Sequence, residues 1–204
     1  AHIYNWDPWA HSRIHPPRII GHEMCGEVVE VGTDVTLVKV GDFVAAESHI
    51  TCGQCFQCRT GQAHVCRNYR ILGVDRDGSF ADYVVLPEKV LWHTPAVLPP
   101  EFASVQEPLG NAVDAALAED LTGHTVLITG CGPTGLFSAA VARTAGAATI
   151  IASDISDYRL NLAKQVGADY VLNAKTDTPT QLAAAIRDIT GGEGVDAALE
   201  MSGH

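Results

Sequence analysis

Two rhythms of apolar and polar positions divide the chain. From Thr125 onward, short apolar runs alternate with longer segments whose apolar positions recur every three or four residues. "TVLITG" reads as a buried strand. "PTGLFSAAVARTAG" reads as a helix opened near Pro133 and closed at Gly146, and "ATIIASD" as a second strand. "SDYRLNLAKQVG" follows as a helix with Ser156 as its N-cap and Gly167 as its stop. "DYVLNA", "TPTQLAAAIRDITGG" and "GVDAALEMSG" add a strand, a helix and a strand. This alternation predicts a parallel sheet with crossover helices.

The first hundred residues have a different rhythm. "GEVVEVG" (26–32), "GDFVAAES" (41–48) and "FADYVVLP" (80–87) are short β-branched runs bounded by Gly, Asp or Pro, and each predicts a strand in a loop-rich region. Pro99 and Pro100 then introduce a helical stretch over roughly 101–120. The fold class is therefore α/β plus β, with a β-rich region over 1–106 and a doubly wound parallel sheet over 107–204.

Composition narrows the field of partners. The most apolar stretch, Thr125 to Ser153, is cut by glycines, Pro133 and Arg143, so no run reaches the length of a membrane-spanning helix. The formal net charge of −11 argues against a nucleic-acid partner, which needs Lys and Arg in excess on some face. The opening "AHIYNWDPWAH" and the closing "VDAALEMSGH" both read as interior sequence, so the chain is expected to be a segment of a longer protein.

Chemistry concentrates first in "CGQCFQCRTGQAHVC". Cys52, Cys55, Cys58 and Cys66 follow a C-x2-C-x2-C-x7-C spacing. Disulfide frameworks usually spread cysteines along small chains, and a thioredoxin-like redox motif normally stands as one pair. Four thiolates within fifteen residues favour one tetrahedral zinc over either alternative, and Gly53 and Gly61 permit the turns such a loop needs. Four cysteines leave no open coordination position, so this zinc would be structural. Upstream, "RIIGHEMCGEVVEVG" places His22 beside Glu23, a weak metal-ligand pair by itself. Cys25 reads as a small buried apolar residue, because on an extended segment its offset from His22 turns it to the opposite face. Glu107, in "SVQEPLGNAV", reads as a carboxylate favoured at a helix start.

"TVLITGCGPTGLFSAAV" carries Gly130-x-Gly132-x-x-Gly135 between a predicted strand and a predicted helix, the context a dinucleotide fingerprint requires. Asp154 ends the next strand, where an acidic side chain bonds ribose hydroxyls and repels a 2′-phosphate, so NAD is expected over NADP. Arg159 is expected along the adenosine.

Taken together, "GHEMCGEVVEVG", "VGDFV", the four-cysteine loop, "GCGPTG" and "ASD" resemble the zinc-dependent medium-chain alcohol dehydrogenases over essentially the whole chain. "HIYNWDPWA", "ESHITCGQC" and "EPLGNAVDAAL" resemble the branch of that family that acts on L-threonine. The resemblance implies a partial GroES-like catalytic domain followed by a partial Rossmann domain, and a cytoplasmic homotetramer with NAD and zinc as cofactors. It implies that His22, Glu23 and Glu107 serve a catalytic zinc, that His2 lies on a proton path and that His49 borders the active-site cleft. It implies that Cys52, Cys55, Cys58 and Cys66 hold structural zinc, and that Gly130, Gly132, Pro133, Thr134, Gly135, Asp154 and Arg159 hold the cofactor. The family's first catalytic-zinc ligand, a cysteine in a Cys-Gly-Thr-Asp segment, does not occur in these 204 residues. Weak catalytic-metal affinity and little turnover are therefore expected of them alone.

Overall fold

The structure, a computed structural model, describes residues 2–203. Residues up to Glu107 form one compact unit and residues from Pro108 form another.

The first unit is built from short elements. Two helices, α1 (His2–Asn5) and α2 (Pro8–Arg13), precede β1 (Cys25–Glu27), β2 (Phe43–Ala46) and β3 (His49–Ile50). α2 starts on Asp7, whose carboxylate accepts the Ala10 N–H, with Pro8 in the first turn where its missing N–H costs nothing. α3 (Phe56–Arg59), β4 (Arg70–Ile71) and β5 (Leu91–His93) follow. β1, β2 and β5 make an antiparallel sheet with β2 central, registering Cys25 with Ala45 and Ala45 with Trp92. β3 pairs antiparallel with β4. The buried groups include Ala45 and Ala46 on β2, Leu72 just after β4, and a cluster of Ala10, Ile14 and Val74 under α2.

Three expectations change here. The run 26–32 is strand only to Glu27. The run 80–87 forms no strand: at its start the Ser79 and Phe80 N–H groups donate to Gly21 and Ile20, at its end Pro87 accepts from Val90, and no ladder joins the two. Tyr83 and Val85 stand exposed, so alternation alone does not make a ladder without a neighbour to pair with. The stretch 101–120 is likewise two helices, α4 (Pro100–Ala103) and α5 (Gln106–Ala116), separated at Ser104 and Val105.

The second unit follows its pattern closely. β6 (Thr125–Thr129), α6 (Pro133–Thr144), β7 (Thr149–Asp154), α7 (Asp157–Val166), β8 (Tyr170–Asn173), α8 (Pro179–Ile189) and β9 (Ala197–Glu200) alternate along the chain. All strands are parallel in the order β8-β7-β6-β9, with β6 in register from Thr125 opposite Thr149. Order reverses beside β6, which places a crevice at the carboxyl ends of β6 and β9. Val126, Ile128, Ile150 and Ala152 pack with Ala139, Ala142 and Ala163 of the covering helices into one continuous core. Ser156 occupies the N-cap position of α7, but its side chain makes no capping bond. Its N–H is instead taken by Asp154, so the carboxylate two residues earlier does the ordering.

Candidate functional site

The four-cysteine loop folds back on itself through α3 and a 3-10 turn, with Gly53 and Gly61 both at positive φ. Cys55 Sγ lies 3.5 Å from Cys58 Sγ and 3.8 Å from Cys66 Sγ, and Cys66 Sγ lies 3.6 Å from Cys52 Sγ. Zinc–sulfur bonds of about 2.3 Å in a tetrahedron put sulfurs about 3.8 Å apart, so the loop is spaced for that ion and not for disulfides. The N–H groups of Gln54 and Cys55 point at Cys52 Sγ and lower its pKa to about 6, the thiolate form a metal needs. Desolvation among its neighbours pushes Cys58 up to about 12, a penalty that a bound cation would reverse.

A second group assembles from distant sequence. His22, Glu23 and Glu107 bring one ligand atom each to within 4.8 Å of one another. Gly21, at positive φ, turns the chain just before His22, and Phe80 packs where a Gly21 side chain would stand. Glu107 is buried and accepts a hydrogen bond from Ser48 Oγ at 2.6 Å. Ser48 Oγ also lies 3.0 Å from His49 Nδ1, which is 2.9 Å from Glu47 Oε1. That hydrogen bond with Glu47 holds His49 above the ordinary imidazole value and Glu47 below the ordinary carboxylate value. Glu47, His49 and Glu107 form another set within 4.8 Å, so Glu107 belongs to both groups.

Sequence reasoning missed Glu47 and Ser48. The signal was the run Glu-Ser-His at the end of β2, whose alternation sends the middle residue inward toward Glu107. Cys25 joins neither group. It is half-buried rather than buried, because its thiol reaches outward to the Pro100 carbonyl at 3.3 Å. His2 is exposed; its partners are Asp7, 2.5 Å away, and the Trp9 ring.

In the second unit the three glycines do separable jobs. Gly130 adopts φ +90°, and a side chain there would strike Ser202 N at 2.6 Å. At Gly135 an added carbon would sit 1.9 Å from the Gly130 carbonyl, so helix and strand approach too closely for any other residue. Around Gly132 nothing lies within 4 Å, leaving open space at the mouth of α6, where Pro133 and Thr134 begin the helix. Such space beside a helix N-terminus fits a pyrophosphate. Asp154 is buried, accepting the Cys131 N–H at 2.7 Å and the Ser156 N–H at 2.8 Å, with Arg159 Nη1 3.8 Å away. Each carboxylate oxygen keeps a lone pair for a ribose hydroxyl.

Comparison with known proteins covers both units. Residues 1–96 match the alcohol dehydrogenase GroES-like domain, and residues 133–204 match the zinc-binding dehydrogenase domain. An L-threonine 3-dehydrogenase of Pyrococcus horikoshii is 54% identical over 99% of this chain and 57% of its own length. The chain thus spans little more than half of that relative. A protein of Sinorhizobium meliloti, assigned as a zinc-binding dehydrogenase and bound to NADP, superposes with a TM-score of 0.84 at 34% identity. That alignment covers 94% of this chain and 56% of the other. An alcohol dehydrogenase of Escherichia coli complexed with NADH gives a TM-score of 0.83 at 33% identity, over 92% of this chain and 55% of the other.

Proposed function

The chain belongs to the zinc-binding alcohol dehydrogenase family, and from that premise we propose that it serves the oxidation of L-threonine at its β-hydroxyl by NAD+. The products are 2-amino-3-oxobutanoate, NADH and a proton: the hydroxyl loses its proton and Cβ gives hydride to the nicotinamide. The observation that carries the reading is the convergence of His22, Glu23 and buried Glu107 on one point. When bound, zinc supplies Lewis acidity toward the substrate hydroxyl, and the nicotinamide takes up the hydride.

This chain's residues do the rest. His22, Glu23 and Glu107 would hold the catalytic metal, and the four cysteines the structural one. Ser48 Oγ bridges Glu107 and His49, giving a proton a path from the buried carboxylate to a half-exposed imidazole. Glu47 favours protonated His49 and fixes the ring. His2, paired with Asp7, is a candidate further along that path. Gly132 and the start of α6 would receive the pyrophosphate. Asp154 would bond the ribose hydroxyls and repel a 2′-phosphate, which supports NAD over NADP, and Arg159 would flank the adenosine. In the relatives' frame we read residues 1–106 as the catalytic domain and 107–204 as the cofactor domain of a homotetramer working in the cytoplasm.

The test is NAD+ and NADP+ reduction by the zinc-loaded protein, expressed from its full reading frame, with L-threonine, L-serine and sorbitol in parallel. Threonine-dependent NADH formation, reduced at least tenfold by Ser48→Ala, is expected. Turnover of sorbitol alone would move the assignment to a polyol dehydrogenase. No turnover despite bound zinc and NAD would leave a zinc-stabilised cofactor-binding module.

A further inference from the structure

A concavity of the first unit lies outside the groups described above. It encloses about 470 Å³ and is lined by Arg13, Arg18, Arg70, His15, Tyr69 and Asp75, with Ser12 and Val74 completing the wall. Its charge runs against that of the whole protein. The chain carries 24 acidic and 13 basic residues, yet three arginines and one aspartate line this concavity.

That carboxylate is already committed. Asp75 accepts Arg13 Nε and Nη2 at 2.9 Å each and the Ile71 N–H at 2.8 Å. Arg13 is thereby fixed, its guanidinium lying over the Tyr69 ring 5.6 Å from the centroid. Arg18 reaches Asp77 through Nη1 at 3.2 Å, while its Nε is buried with no hydrogen-bond partner among the described residues. A buried donor without an acceptor is costly, and its usual explanation is an ion or water that belongs there. Arg70, on β4, is exposed and adds a third positive charge to the same wall.

We propose that this cavity is a binding site for a small oxyanion, a phosphate or carboxylate group. Planar guanidinium forks match such groups with paired charge-assisted hydrogen bonds, and fixed arginines need little ordering to make them. The Tyr69 ring lies 5.6 Å from the His49 ring, so an anion held here abuts the wall of the proposed catalytic unit.

The test uses inorganic phosphate as probe, titrated calorimetrically into the intact protein, with chloride at matched ionic strength as control and malonate as a carboxylate arm. Saturable phosphate or malonate binding is expected, and the tighter of the two names the group the site takes. Arg18→Gln with Arg70→Gln should weaken it at least tenfold. Arg70→Gln alone removes an exposed side chain and so keeps the fold, and it should weaken binding severalfold. Phenylglyoxal labelling of the unaltered protein should slow severalfold at Arg70 when phosphate is present, while Arg187 on α8 labels unchanged. No saturable binding, an equal response to chloride, or full affinity in the double variant would overturn the proposal. The last result would place the phosphate at the Gly130–Gly135 turn instead. None of these readouts depends on turnover, so they stand apart from the test of threonine oxidation.

Discussion

In the unit that ends at Glu107 the strands are two to four residues long and the buried apolar groups are mostly alanine and valine. In the unit that begins at Pro108, β6 and β7 bury valine and isoleucine in one cluster running from Ala116 to Ala197, joined by Leu121 and by Leu160 of α7. The first unit compensates with specific links: a sulfur cage, the Arg13–Asp75 fork and the Ser48–Glu107 hydrogen bond. The contrast teaches that the proposed chemistry sits where generic hydrophobic burial is weakest, and a few directional contacts must then set positions that a large core would otherwise set.

The sharpest way to break this contrast is to remove the cage. Chelation, or Cys66→Ser, should withdraw zinc-linked stabilisation on the order of 10 kcal/mol. Hydrogen exchange should then show protection lost in the loop and the β3–β4 pair while β6 and β7 stay protected. Uniform loss of protection in both units would erase the distinction.

A core truncation should act in the opposite place. Ile128 is fully buried, so Ile128→Ala should cost about 2–5 kcal/mol, read as a lowered unfolding midpoint for the second unit only.

Breaking the fork is a smaller intervention. Asp75→Asn leaves Arg13 half-paired and should cost the first unit about 1–3 kcal/mol in denaturant unfolding. Arg13 holds Asp75 below its ordinary value of 3.8. A depressed carboxylate stabilises the fold above its unfolded pKa, and that contribution drains away as pH falls through the lowered folded value. Below about pH 4 the first unit should therefore lose stability faster in the native protein than in Asp75→Asn.

The smallest expected effect concerns α8. Thr178 and Gln181 form a capping box, each side chain serving the other's backbone N–H, and Thr178→Ala should cost about 1 kcal/mol in the second unit alone.

The same contrast explains what could be read from the chain. In the second unit the information is local. Alternating runs fix strand and helix, and Gly130, Gly132 and Gly135 lie within six residues of one another, so their spacing carries their purpose. In the first unit the decisive partners are remote. Nothing near Arg13 announces Asp75, and nothing near Glu107 announces Ser48. The cysteine cluster was legible because its four members are neighbours in sequence. Tyr83 and Val85 misled because β-propensity records what fits a ladder and not whether a second strand is present.

The compactness of the cage along the sequence also sets an order of events during synthesis. Its sulfurs close rings of at most 14 positions, whereas joining His22 to Glu107 closes one of roughly 85. The longer closure costs about 1.6 kcal/mol more in chain entropy, and Glu107 leaves the ribosome some forty residues after Cys66. The nascent chain thus presents all four cysteines well before it presents the His–Glu group, so in the proposed scheme the sulfur site would be the first to meet metal.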